Sequence, residues 1–533
     1  MSYKNWFLRA AGIASCLLAL ALAQPARCQT RITGAIKNNE RVPVSGTTPS
    51  VVAQSVDAGR VPGGQNLGRM LLMLTPSADQ ELAAREFVSA LHDASSPSFH
   101  KWLTPAQFGE QFGVSESDAA QVQQWLQNQG FTVHEVSQSR RFIVFSGNAS
   151  QVENAFAAEM HTYTYKGQSF ISNSSDIQIP AALQSVVKGV VRLHSDPKTV
   201  STVLLGGKVH FKKSKGNFTF DDGSHYMTPA DFATIYNVQP LYDSGIDGTG
   251  QTIAIVGRSN IDVQNVRDFR TNLGLPANDP QIMVNGDDPG QTSSDMPEAM
   301  LDVTWSGAVA PMATIKFVVS QSNFADGVDI SAAYIVDHDL APVMSTSYGS
   351  CESAMGPVGA AFYNALWQQA AAEGITAFVS SGDNGGAGCD YPGSGLYASG
   401  GLAVNGLAST PYNVAVGGTQ FDDANNASTY WSETTDPTTG KSVLSYIPET
   451  VWNESNNDPN YVSLWAGSGG VSSLYAKPDW QTAPGVPNDG KRDLPDLSLS
   501  AALHDGYLVC LFSSCSFGNY FYTAGGTSLS SPS

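Results

Sequence analysis

A chain of 533 residues exceeds what one hydrophobic core supports, so two or three domains are expected. A hydrophobic content of 42% with 10% aromatics excludes global disorder, and 51 glycines with 28 prolines call for many tight turns and long loops. The net charge is −19, from 47 acidic against 28 basic side chains; that excludes a nucleic-acid partner, because phosphate binding needs a basic surface.

Residues 1–23 read as an export signal. Lys4 and Arg9 give a positive start, and AAGIASCLLALALA is an apolar run too short to span a bilayer. Ala21-Leu22-Ala23 is a small-residue cleavage site. Residues 13–16 (IASC) resemble a lipid-attachment box but lie inside the apolar run. No later stretch reads as a membrane span, so the mature protein is expected to be secreted, with no membrane association after signal removal. Cysteine usage suits an oxidising compartment. Cys16 falls in the signal and Cys28 just beyond it. Of the remaining four, Cys510 and Cys515 enclose a short loop and pair most naturally with each other, which leaves Cys351 for Cys389. Four free buried thiols are the alternative, and the absence of any C-x-x-C pair disfavours a metal site.

Residues 45–195 read as a small α+β domain with an antiparallel sheet. LGRMLLMLT is a strand, and SADQELAAREFVSALHD has helical apolar spacing. Thr104-Pro105 opens a short helix, with threonine as cap and proline at the first helical position. A further helix, SESDAAQVQQWLQNQG, stops at Gly130. FTVHEV and RRFIVFSG read as paired strands, ASQVENAFAAEM as a helix and HTYTYKG as a strand. Residues 196–224 are polar and contain Lys208, Lys212, Lys213 and Lys215; they read as an exposed, cleavable linker.

From residue 225 to 533 the pattern changes. QTIAIVG, ATIKFVVS, APVMSTSYG and ITAFVSSGD are apolar strands that alternate with amphipathic helices. One of these helices, NIDVQNVRDFRTNLG, is expected to be capped by Asn260. Such alternation implies an α/β, doubly wound parallel sheet with its site outside the carboxyl ends of the strands. SYG at 347–349 and SSGD at 380–383 fall at such ends.

The segment GGTSLSSPS places Ser528 where a serine nucleophile would sit, and a serine hydroxyl needs a base beside it. Only His225, His338 and His504 occur from residue 225 on, and none stands in a histidine-glycine context at a helix start. PEAMLDVTWSGAVAP offers a different base. Glu298 and Asp302 lie four residues apart, on one face of an otherwise apolar helix. Two carboxyls so placed can share one proton and form a tunable acid/base unit. The alternative is a pair of exposed acids at a helix N-terminus.

Four motifs occur in one order: E-x-x-x-D, STSYG, SSGDNGG and GGTSLSSP. Together they resemble the sedolisin family, the serine-carboxyl peptidases with a subtilisin-like fold. The resemblance covers nearly the whole chain after the signal. Within 45–195, SPSFHKWLTPAQFGEQFG, RRFIVFSGNASQVENAF and IPAALQSVVKGVVRL are similar to the family's activation prodomain; later, so are ETVWNE, GSGGVSSLYAKPDWQ and RDLPDLSLSA to its catalytic part. The resemblance implies a self-activating zymogen. Ser528 would be the nucleophile, Glu298 its general base, Asp302 the partner sharing the proton, and Asp383 the group facing the oxyanion. It further implies polypeptide substrates, the prodomain as intramolecular inhibitor, a monomer, and activity centred at about pH 3 to 5. A calcium ion is implied as well, with ligands that on this reading lie past residue 533, so a fragment of a longer reading frame is expected. Two readings compete: a non-enzymatic binding protein of the same fold, and a hydrolase with His338 or His504 as base. A G-x-S-x-G elbow is absent, which leaves a lipase without support.

Overall fold

The computed structural model describes residues 29–165, 167–195, 204–210, 225–390, 397–458, 461–518 and 520–533. The export signal at 1–23 and most of the 196–224 linker lie outside the described residues.

The N-terminal domain is built on a four-stranded antiparallel sheet, in the order Thr132–Val136, Phe142–Asn148, Asn66–Leu74, Val187–Val191. Its helices Ala78–His92, Pro105–Phe112, Glu116–Asn128 and Ala149–Phe156 each start on a side-chain cap, from Ser77, Thr104, Ser115 and Asn148. Thr104-Pro105 and Gly130 act as the sequence indicates: proline stands in the first turn, and Gly130 takes φ +86° behind the helix it closes. The strand at HTYTYKG is the middle of a second sheet, between Val56–Arg60 and Gln168–Asn173.

Period-two alternation explains the unbroken apolar run in the central strand. Met70, Leu72 and Leu74 face the domain's own core with Ile143 and Phe145. Leu71 and Met73 face the other way, with Phe142, Val144 and Val191, and join a core that includes Val328, Ile335, Val336, Phe362 and Leu366. Those five belong to the helices Gly327–Asp337 and Gly356–Glu373 of the second domain. Backbone bonds add to the interface. Ala325 donates to the Arg69 carbonyl at 2.8 Å, and Gln138 and Ser139 donate to the Asp337 carboxyl at 2.6 and 2.9 Å.

The second domain carries an eight-stranded sheet. Its order is Gln281–Val284, Thr314–Val319, Thr252–Gly257, Val343–Thr346, Thr376–Ser380, Val414–Phe421 and Glu449–Val451, with Leu497–Ser500 also paired to Val414–Phe421. All pairings are parallel except that of Glu449–Val451. Helices cover both faces, as the doubly wound reading requires: Val263–Asn272 and Met296–Val309 on one, Gly327–Asp337 and Gly356–Glu373 on the other. The cap of Val263–Asn272 is Asp262, which accepts the Gln264 amide, and not Asn260. Asn260 instead turns its amide to Asp288 at 3.1 Å, so a long-range partner takes it out of the capping position.

Both cysteine pairs form disulfides, Cys351–Cys389 and Cys510–Cys515. One part of the interdomain segment differs from an exposed linker. Leu204–His210 is a strand, antiparallel to Tyr520–Gly525, which pairs on its other side with Tyr507–Val509. Val209 in this strand is buried in the core of the second domain.

Candidate active site

The helix Met296–Val309 has Pro297 in its first turn and is buried along nearly its whole length. Met300, Leu301, Val303 and Trp305 join the core, and the four-residue spacing carries Glu298 and Asp302 inward on one face. Both are 0% exposed, which rules out the reading as a solvated acid pair. Ser347 Oγ, just past the strand Val343–Thr346, donates to Asp302 Oδ1 at 2.6 Å. Asp302 Oδ2 and both Glu298 oxygens complete no hydrogen bond of regular geometry. Burial, and then the Asp302 charge, push Glu298 well above the ordinary carboxyl range, opposed by the nearby Ser528 hydroxyl. Burial raises Asp302 as well, opposed by its bond from Ser347. The two carboxyls therefore hold a proton where exposed carboxyls would be ionised.

Ser528 is 0% exposed and lies in the short helix Thr527–Ser530, behind Gly526. The hydroxyls of GGTSLSS anchor this turn from three sides. Ser530 Oγ donates to the carbonyls of Leu499 and Ser500, at 3.2 and 3.1 Å. Ser531 Oγ meets Ser345 Oγ at 3.0 Å, and Thr527 binds Asp383. Ser528 Oγ itself completes no hydrogen bond of regular geometry, so it is held in place yet unengaged. The hydrogen bonds of catalytic groups often tighten only with substrate bound.

Asp383 follows the strand Thr376–Ser380 and is 1% exposed. Its Oδ1 accepts from the Thr527 amide at 2.7 Å and from Thr527 Oγ1 at 2.8 Å, while Oδ2 has no partner. Burial pushes its pKa up to about 6 against those two bonds. A protonated Oδ2 would be a hydrogen-bond donor beside the Gly526–Thr527 turn that leads into Ser528. Gly526 has φ +122°, and a Cβ there would stand 2.9 Å from Asp383 Oδ2. Gly526→Ala is therefore expected to displace this carboxyl and cut kcat/KM by about 100-fold, since a misplacement near 1 Å costs that much. Wild-type kcat/KM in the alanine variant would contradict the close fit.

The sequence-predicted residues Glu298, Asp302, Asp383 and Ser528 thus come from three separate segments, the first two from one helix, and meet at one buried site. His338 and His504 are engaged elsewhere, His338 against the Tyr334 carbonyl and His504 with Glu454 and Asp505. Other residues that shape the site carry no local sequence signal. Asn405 Nδ2 donates to the carbonyls of Tyr348 and Ser380, at 3.2 and 2.8 Å, and so ties the STSYG strand end to the SSGD one. Arg258 is buried between Asp295 and Asp326, at 2.8 and 2.9 Å, with its guanidinium 5.2 Å from the centre of the Tyr348 ring.

Ser347→Ala tests the support of Asp302. Loss of its bond raises the Asp302 pKa further, so the acid limb of the pH–rate profile should move toward higher pH. With the pair less well held, kcat should fall by about 10- to 100-fold with KM little changed. An acid limb that stays in place would remove Ser347 from this role.

Among the described residues, two groups place one histidine and two acidic ligand atoms all within 4.8 Å of one another: Glu135 with Asp337 and His338, and Asp423 with His504 and Asp505. Calcium takes six to eight oxygen ligands, and each group offers an imidazole and only two carboxyls. Neither fits the calcium ion that the resemblance implies.

A family profile described as Pro-kumamolisin, activation domain, matches residues 53–195. The chain is 27% identical to sedolisin of Pseudomonas sp. (strain 101) over 467 residues, covering 85% of this chain and 72% of that protein. It is 27% identical to kumamolisin of Bacillus sp. (strain MN-32) over 495 residues, covering 89% and 81%. Against xanthomonalisin of Xanthomonas sp. (strain T-22) the identity is 28% over 492 residues; 84% of this chain matches 55% of that one, about half its length. Among solved structures, it is similar to Pseudomonas sedolisin, a serine-carboxyl proteinase complexed with two molecules of pseudo-iodotyrostatin. The TM-score is 0.44 at 28% identity, over 58% of this chain and 78% of that one.

Proposed function

We propose that this chain, a serine-carboxyl peptidase zymogen of the sedolisin family, is a secreted endopeptidase that activates itself in acid. The observation that carries the reading is the fully buried Glu298–Asp302 pair beside Ser528. Ser528 Oγ attacks the scissile carbonyl while Glu298 takes its proton. Asp302 shares that proton and keeps Glu298 oriented. The carbonyl oxygen becomes an oxyanion, and protonated Asp383 donates to it. Glu298 then returns the proton to the leaving amine, and water repeats the sequence on the acyl-enzyme. This is triad chemistry with a carboxyl in the place of histidine.

The same geometry supports an acid optimum. Asp383 must be protonated to donate, and with a pKa of about 6 it loses that proton as the pH nears neutrality. The Glu298–Asp302 pair must have lost one of its two protons to act as base. Both limbs belong to coupled groups, so the profile is bell-shaped with its maximum in acid. Residues 45–195 serve as the inhibitory prodomain, and the 196–224 segment is where the chain is cut. Incubating the neutral, uncut protein in acid tests this, with fragment masses as readout. Cleavage in 196–224 is expected; an intact chain after prolonged incubation across the acid range would refute self-activation.

A further inference from the structure

We propose that Asp423, His504 and Asp505 form a binding site for a divalent transition metal of the zinc class, with Glu454 as the outer carboxylate that orients the histidine. The site stands apart from the peptidase chemistry and does not depend on it. Asp423 follows the strand Val414–Phe421, Glu454 follows Glu449–Val451, and His504-Asp505 turn out of Leu497–Ser500. Val414–Phe421 pairs with both of the other strands, so the sheet brings the four residues together at one edge.

Donor atoms of Asp423, His504 and Asp505 lie within 4.8 Å of one another. Glu454 is fixed before any ligand arrives. Its Oε2 accepts from the Trp452 indole at 2.9 Å and from the Leu503 amide at 2.8 Å. Its Oε1 accepts from the His504 amide at 3.0 Å and faces His504 Nδ1 at 3.1 Å. A histidine whose Nδ1–H is held by a carboxylate presents Nε2 as its metal-binding atom, the usual outer arrangement of a protein zinc site. That Nε2 points at Asp505, 2.8 Å from Oδ2. Asp505 is 5% exposed, and its Oδ2 completes no hydrogen bond of regular geometry. Asp423 is equally buried and is steadied by the Trp431 indole at 2.5 Å. His225, stacked on Trp431, is the other titratable side chain facing Asp505. His504 remains partly exposed, which leaves a path from solvent.

Charge points the same way. Three carboxyls, two of them nearly buried, converge on one imidazole, and a divalent ion is the kind of ligand that such a set of donors attracts. One imidazole nitrogen and two carboxylate oxygens suit zinc, cobalt or manganese, with a position open to water. The Glu135–Asp337–His338 group provides an internal control. There the Asp337 oxygens are taken by backbone amides, and His338 Nδ1 by a carbonyl.

The test is titration of tag-free, chelator-treated protein with Co²⁺ at neutral pH, followed by visible absorption and then by displacement with Zn²⁺. Saturable binding of about one Co²⁺ per chain, displaced by zinc, is expected. Asp423→Asn and Asp505→Asn should each weaken it at least 10-fold, and Glu454→Gln by about 10- to 100-fold. Asp337→Asn should leave it unchanged. Circular dichroism checks that each variant is folded. Should Asp505→Asn fail to fold, Asp423→Asn decides alone. Absence of saturable binding in the wild type, undiminished binding in folded Asp423→Asn, or loss of binding in Asp337→Asn would each overturn the proposal.

Discussion

Ser528→Ala is expected to leave the protein uncut in acid and to lower peptidase activity by a factor on the order of 10⁴ to 10⁶, the range seen when a member of a serine triad is removed. The substitution is structurally mild. Ser528 Oγ holds no hydrogen bond of regular geometry, its removal takes a hydroxyl from beside Glu298, and the anchoring of the turn falls to Thr527, Ser530 and Ser531. A lost cut can therefore be assigned to chemistry once circular dichroism shows an unchanged fold. Glu298→Gln should fall nearly as far, because an amide of the same shape cannot accept the serine proton. The two changes should not add in the double variant, since both remove the same attack. Cleavage of Ser528→Ala, incubated alone at the wild-type rate, would remove Ser528 from the mechanism.

The second large effect concerns Asp383, and its sign depends on the replacement. Asp383→Ala removes the group proposed as oxyanion donor and should cost about 100- to 1000-fold in kcat. It also leaves the Thr527 amide and hydroxyl without their acceptor. Asp383→Asn keeps an acceptor for Thr527 and supplies an N–H donor that does not titrate. Peak activity should fall, since an amide is a weaker donor than a carboxyl. The alkaline limb, which the proposed mechanism assigns to Asp383 with its pKa of about 6, should then move toward neutral pH. The acid limb, which belongs to the Glu298–Asp302 pair, should stay in place. An alkaline limb identical in wild type and Asp383→Asn would assign it to another group.

The candidate site was legible where chemistry is local and illegible where it is not. The four-residue spacing of Glu298 and Asp302 fixes their common face in any helix, and GGTS announces a tight strand-to-helix turn whatever surrounds it. Apolar periodicity likewise separates the antiparallel N-terminal sheet from the parallel one, because strands covered on both faces lose their alternation. Asn405, Arg258 and the pairing of Thr527 with Asp383 could not be read in that way. Each is a polar contact between residues far apart in the chain, and such contacts leave no period in the sequence. The misplaced cap at Asn260 has the same origin, since Asp288 competes for its side chain from 28 residues away. The strand at Leu204–His210 has no signature of its own, because the lysine- and glycine-containing segment around it reads as solvent-facing. One buried side chain, Val209, and a ladder of backbone bonds are enough to seat it.

On the proposed self-activation, that strand makes the position of the cut matter, because loss of the prodomain would then involve scission of a peptide bond with or without unzipping of a β-ladder. Leu204 stands opposite Gly525, next to the glycine that packs on Asp383. A cut on the N-terminal side of the ladder leaves the strand in place as the first element of the peptidase. A cut on its C-terminal side leaves a peptide hydrogen-bonded to Tyr520–Gly525 after the covalent link is gone, and full relaxation of the nucleophile turn then waits on its departure. The second route carries a kinetic lag that the first does not. The two are told apart by the mass of the catalytic fragment and by deuterium uptake at alternate amides of 520–525, which stay protected for as long as the ladder is closed.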